Sequence, residues 1–230
     1  MTSRHFGPGL DAFFQGLARR NTRPWFHAHK ADYQRHVKEP FTEFVGEMIE
    51  RLAAVDPHMR CEPREAIFRI ARDTRFSADK TPYKTLVSAV IAPDGRKTRA
   101  PAFYFQLGID GLGVAAGLYQ PDRDQLYHVR EAIRDDGASI TRVLRDRTFR
   151  HVWGQLQGER NVRLPAEFSE AARRFPLLYH KQFYCWVEYA GTRPVLRRDL
   201  ADFLMRHYRS ARPILLWLRK AVAPPSRHRP

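Results

Sequence analysis

The spacing of apolar positions divides the chain into helical ends and a β-rich middle. Leu10, Phe13, Phe14 and Leu17 recur at i, i+3, i+4 and i+7, which predicts an amphipathic helix ending near Asn21. Thr22 is placed to cap a second helix with Pro24 in its first turn, where a missing amide costs little. Its stripe runs through Trp25 or Phe26, His29, Tyr33 and Val37. Pro40 then breaks or restarts the helix, and Phe41, Phe44, Val45, Met48 and Leu52 carry it on to Asp56-Pro57. From residue 66 to residue 119 the pattern reads as antiparallel β. Strands are expected at about 66–71, 85–92, 101–108 and 112–119. Asp110-Gly111 between two apolar runs predicts an antiparallel hairpin.

The last of these strands puts Leu112, Val114, Ala116 and Leu118 on one face and Gly113, Ala115, Gly117 and Tyr119 on the other. That second face is nearly bare, and admits either a closely packed helix or a bound ligand. Its glycines do not make a dinucleotide fingerprint, because they lie inside a strand that ends at Pro121. Asp122 and Gln125 form a capping-box start, Leu126, Val129 and Ile133 give a buried stripe, and Gly137 stops the helix. Ile140, Val143 and Leu144 indicate a further short helix. Residues 145–165 read as irregular, with Phe149 and Trp153 against the core. Residues 183–189 alternate like a strand, and whether it joins the main sheet is open. Leu196, Leu200, Phe203, Leu204 and His207 indicate one helix, and Ile214, Leu215, Trp217 and Leu218 another after Pro213. The expectation is a single α+β domain over 1–221, an antiparallel sheet of four to five strands packed by N-terminal and C-terminal helices. Residues 222–230 are expected to form a mobile tail with little to bury.

Composition narrows the function classes. With 230 residues, 43% of them hydrophobic and 28% charged, the chain suits one sizeable globular core. No run approaches eighteen apolar residues and the first ten residues hold no signal-peptide core, so a cytoplasmic protein without membrane contact is expected. Cys61 and Cys185 make no CxxC pattern, and Cys185 inside FYCWV reads as a buried reduced thiol. His27, His29 and His36 complete no metal-ligand spacing, and no metal is expected. There is no Walker loop and no GxSxG elbow, so enzyme activity and cofactor stay open. The net charge of +15 is spread along the chain with no basic block longer than two. It supports an alternative reading, a basic nucleic-acid-associated protein that uses distributed charge.

The densest chemistry lies between two expected strands. Arg69, Arg72, Arg75, Lys80 and Lys84 fall within sixteen residues, together with Asp73 and Asp79. Guanidinium forks grip carboxylate or phosphate bidentately, whereas lysine is a point charge whose pKa moves when it is desolvated. The chain holds seven lysines against 33 arginines, so two of them in this loop point to ammonium chemistry there. One reading is a pocket for a phosphorylated or carboxylated ligand lined by Arg72, Arg75, Lys80 and Lys84, with Asp73, Asp79 and Tyr83 in the same loop. The other is a scaffold whose Arg–Asp pairs stitch the loop down, with Pro82 stiffening it and Tyr83 packed beneath.

The run RIARDTRFSADKTPYK, residues 69–84, closely resembles the R-I-x-R-D-x-R-F-S-x-D-K-x-P-Y-K signature of a bacterial and fungal family described as domain of unknown function 2461. Residues 13–33, FFQGLARRNTRPWFHAHKADY, resemble its F-L-x-x-L-x-x-N-N-x-R-x-W-F-x-x-x-K-x-x-Y segment, and residues 111–133 are similar to its glycine-rich strand, proline and helix. The resemblance runs to about Tyr208. Arg20 departs from it, standing where the family usually has the first of two asparagines. So does Ala172-Arg173-Arg174-Phe175-Pro176, where the family more often has an acidic residue and a histidine before the proline. The resemblance implies an α+β domain and brings no activity with it. It adds Arg23 and Lys30 to the ligand-site candidates.

Overall fold

The computed structural model describes residues 5–223; the expected tail lies, from residue 224 on, outside them. The first predicted stripe becomes α1 (Pro8–Arg19), with Leu10, Phe13, Phe14 and Leu17 all buried. Thr22 caps α2 (Arg23–Ala28), its hydroxyl accepting the Trp25 amide at 3.4 Å. The break that follows falls at His29 (φ −106°, ψ 21°), earlier than the expected one at Pro40. α3 (Lys30–Tyr33) then passes through a π turn at Gln34–Lys38 into α4 (Glu39–Val55). In that turn the Glu39 amide reaches back to the Gln34 carbonyl. The wider turn leaves room for the Pro40 ring, which a tighter α turn would drive against a carbonyl.

β1 (Leu86–Ile91), β2 (Ala102–Gly108), β3 (Gly111–Leu118) and β4 (Phe183–Ala190) form one antiparallel sheet in that order, with helices from both ends of the chain flanking it. The hairpin at Asp110-Gly111 is present, and the 183–190 segment joins the sheet beside β3. The strand expected at 66–71 is not formed. Pro63–Ala66 is a short helix, α5, closed by a Glu62/Glu65 capping box, and beyond it lie isolated antiparallel bridges, Ile67 to Ala89 and Ala71 to Tyr83. Between those bridges one segment advances four residues while the other advances six. A continuous ladder cannot bridge that mismatch.

The chain partitions into two compact units. One takes the chain up to Thr98, Tyr104–Val114 and Glu188–Arg206; the other takes Arg99–Phe103, Ala115–Val187 and the chain from His207 on. In the first unit Phe41 and Phe44 of α4 set their rings against Phe105 of β2, with centroids 6.0 and 5.7 Å apart, while Val45, Met48 and Leu52 are fully enclosed.

In the second unit α6 (Arg123–Arg145) opens on the expected Asp122/Gln125 capping box and kinks at Asp136 (φ −144°, ψ 59°). The Asp136 carboxylate accepts the Ser139 amide at 3.2 Å and so restarts the helix. α7 (Arg147–Trp153) occupies part of the stretch read as irregular, started by Asp146, whose carboxylate accepts the Phe149 amide at 2.9 Å. α8 (Ala166–Arg174) follows. Where two C-terminal helices were expected, one helix, α9 (Leu200–Val222), runs through Pro213. Tyr208, Ala211, Ile214, Leu215 and Leu218 are buried on both sides of the proline. At about 1.5–3 kcal/mol for each large apolar side chain, that burial outweighs the roughly 3 kcal/mol cost of an interior proline.

The bare face of β3 has a backbone explanation. Gly111 (φ 128°) and Gly117 (φ 132°) hold conformations that favour glycine, and a Cβ at either would strike a main-chain carbonyl of β4, at Tyr189 and Phe183 respectively. At these two positions the close approach is that of a neighbouring strand. Among the described residues no helix is long and apolar enough to cross a membrane.

Candidate functional site

The charged loop is built from its root. The Ala71–Tyr83 bridge is flanked by Arg72 N–H donating to the Pro82 carbonyl (2.9 Å) and Lys84 N–H donating to the Ile70 carbonyl (2.8 Å). Residues 73–81 are thereby closed into a loop. Asn21, just ahead of α2, clamps this root with both ends of its amide. It donates to the Tyr83 carbonyl at 2.8 Å and accepts the Tyr83 N–H at 3.1 Å. The Tyr83 ring stacks on Phe26 with centroids 4.0 Å apart and planes 15° from parallel.

Beyond the root the loop satisfies most of its own charge. Asp79 accepts the Thr81 amide (2.9 Å) and a guanidinium N–H of Arg72, which also donates to the Thr81 hydroxyl (2.9 Å). Those bonds, the Thr81 amide foremost, hold the Asp79 carboxyl below its ordinary range. Asp73 accepts Arg75 through Nε (3.0 Å) and Nη2 (2.7 Å), and this side-chain pair is the main reason its own pKa is lowered. The Lys80 ammonium donates to the Thr74 carbonyl at 3.0 Å. The Arg75–Asp73 pair is solvated, with 76% and 54% of the side chains exposed, so it contributes little to stability. Phe76 stands almost fully exposed at the tip.

Lys84 is held differently. The antiparallel root sets it opposite Ile70, and Phe68 and Arg72, two residues to either side of Ile70, share that face. The Lys84 ammonium sits 5.5 Å from the Phe68 ring centroid, half-buried, and no carboxylate pairs with it among the described residues. Burial lowers its pKa below the ordinary lysine value, and repulsion from Arg69 and then Arg72 lowers it further. Of the residues expected at a ligand site, the structure therefore brings Arg72 and Lys84 together. Arg75, Asp73, Asp79 and Lys80 are engaged within the loop, and Tyr83 is a packing residue of the root. Arg23 on α2 and Lys30 on α3 are exposed and bonded to none of them. Two residues outside the sequence-based ligand candidates stand at the loop root. Arg69 is one of the cations of the charged run, and Asn21 lies in the second family-like segment, residues 13–33.

Among the described residues no group of three or more His, Cys, Asp and Glu side chains is placed to hold a metal ion. His29 is stacked on Trp25 with centroids 4.0 Å apart, and the His36 ring packs on Gly9. Both cysteines are free thiols. Burial pushes Cys185 far up, its Sγ–H donating to the Ala116 carbonyl at 3.3 Å, and burial also raises Cys61.

The model of a family described as conserved hypothetical protein, domain of unknown function 2461, matches residues 10–217, a span that contains Asn21, the whole loop and Lys84. No curated protein and no solved structure matches the chain. The chain belongs to the conserved hypothetical protein family DUF2461.

Proposed function

We propose that the protein binds an anionic ligand, phosphorylated or carboxylated, at the root of the charged loop through Lys84, Arg72 and Arg69. One observation carries this reading: the Lys84 ammonium is half-buried against Phe68, is repelled by the Arg69 and Arg72 guanidinium groups, and has no carboxylate partner among the described residues, while the Asp79 carboxylate pairs with Arg72 alone. Desolvating like charges together is unfavourable, and an anion seated among them reverses the sign of the interaction. Arg72 can take part while keeping its bonds to Asp79 and Thr81, because a guanidinium carries five N–H donors. Asp73, Arg75, Asp79 and Lys80 shape the loop in this reading, and Asn21 fixes its root.

Thermal melting in the presence of phosphate tests it, with chloride of equal ionic strength as the reference. A ligand at a hundredfold excess over its dissociation constant stabilises the folded state by about 2.7 kcal/mol. Lys84→Met is expected to lose that gain and remain folded without phosphate. Arg75→Ala, at the solvated tip, is expected to keep it. A wild-type protein that responds equally to phosphate and chloride contradicts the proposal.

A further inference from the structure

Beyond its kink, α6 presents Ala138, Thr141, Arg142 and Arg145 at i, i+3, i+4 and i+7, a single face. That face forms one wall of an open groove of about 680 Å³, and Arg174 and Phe175 at the end of α8 form the other. Arg142, Arg145 and Arg174 are exposed, and none makes an ion pair or hydrogen bond among the described residues. The carboxylate that lines the groove, Asp146, is committed to the Phe149 amide as the cap of α7. The Thr141 hydroxyl is likewise committed, donating to the Gly137 carbonyl at 2.6 Å. The donors left over are three guanidinium groups, whose charge outnumbers the single negative charge of Asp146, and Arg147 and Arg150 on α7 are further exposed cations.

We infer that this groove binds the phosphate backbone of a single-stranded nucleic acid. Three unpaired guanidinium groups at short spacing match a ligand that repeats its negative charge along a chain. A small phosphorylated metabolite calls for a site that encloses most of its surface, and this groove is open. A flexible single strand can bring successive phosphates to guanidinium groups set on two walls of one groove, whereas a stiff duplex holds its phosphates at fixed positions. The Phe175 ring is packed on Gly137 and lies under Arg174, whose guanidinium carbon is 5.1 Å from the ring centroid. With that ring already engaged, the strand is held by its backbone and its sequence is not read. This site is separate from Lys84 and stands or falls without it.

The test is fluorescence anisotropy of a labelled twelve-nucleotide oligothymidylate over a salt series. Each phosphate neutralised on a single strand contributes about −0.7 to the slope of log K against log salt. Arg142→Gln, Arg145→Gln and Arg174→Gln are each expected to reduce the slope by about 0.7, and the triple variant by about 2. The corresponding lysine variants keep the slope, and Arg75→Gln leaves it at the wild-type value. Oligoadenylate binds as oligothymidylate does, and a duplex of equal length binds more weakly. Absence of binding at low salt, a triple variant with the wild-type slope, or an equal loss in Arg75→Gln overturns the inference. Tighter binding of the duplex overturns the choice of a single strand.

Discussion

Asn21→Ala removes the clamp on the root of the loop and nothing else of size. The wild-type amide makes two hydrogen bonds to the main chain of one residue, Tyr83, at 2.8 and 3.1 Å, and both are partly buried. At about 1 kcal/mol net for each bond, the loss is about 2 kcal/mol. For a chain of this length that corresponds to a fall in Tm of roughly 4–8 °C. The Tyr83–Phe26 stack survives the substitution, so the loop loosens without the ring leaving α2. Asn21→Asp divides the two bonds. Its carboxylate still accepts the Tyr83 N–H but faces the Tyr83 carbonyl with no proton to donate. Near neutral pH this variant should be at least as unstable as Asn21→Ala. It should recover as the pH falls towards about 4 and be fully recovered below it, because a carboxyl that is unfavourable when charged takes up its proton above the ordinary aspartate range and so regains a donor. Urea unfolding, together with hydrogen exchange at the Tyr83 amide, reads both effects. A change below about 0.5 kcal/mol in Asn21→Ala, with Tyr83 protection unaltered, would refute the clamp.

Gly117→Ala sets a Cβ against the Phe183 carbonyl at a φ of 132°, and should destabilise by at least the roughly 1–3 kcal/mol of such a backbone strain; a silent result in urea unfolding would mean that β4 does not approach so closely. Asp73→Ala breaks a solvated pair and should leave the melting curve where it is. A fall as large as that of Asn21→Ala would show that the Arg75 pair ties the loop down.

Features written in a few neighbouring residues were legible in the sequence. Thr22 with Pro24, Asp122 with Gln125, and Asp110-Gly111 each carry their geometry locally, and each formed as expected. Alternation at 66–71 misled because the residues that decide the segment flank it. The Glu62/Glu65 capping box turns its start into helix, and the unequal bridge spacing prevents a ladder. Pro213 misled for the opposite reason, since the burial that overrides it involves packing partners a local pattern does not display. α7 has two buried large side chains, Phe149 and Trp153, too few to show a period, although its Asp146 cap was there to be read. In the loop, the cations were visible but their sorting was not. Arg75 meets Asp73 two residues away, whereas the distinctive setting of Lys84 arises where the chain folds back across Ala71 and Tyr83.

An ammonium waiting for an anion reveals itself most directly in its own titration, and for Lys84 that titration can be followed. With lysine side chains isotopically labelled and Lys84→Met supplying the assignment, NMR follows the Lys84 signal through alkaline pH, first without phosphate and then at saturation. Without phosphate the midpoint should lie below the ordinary lysine value, because burial and the neighbouring Arg69 and Arg72 disfavour the charged form. Phosphate binds the charged form better, so saturation should move the midpoint upward. A midpoint at or above the ordinary value without phosphate, unmoved when phosphate is added, would contradict the account.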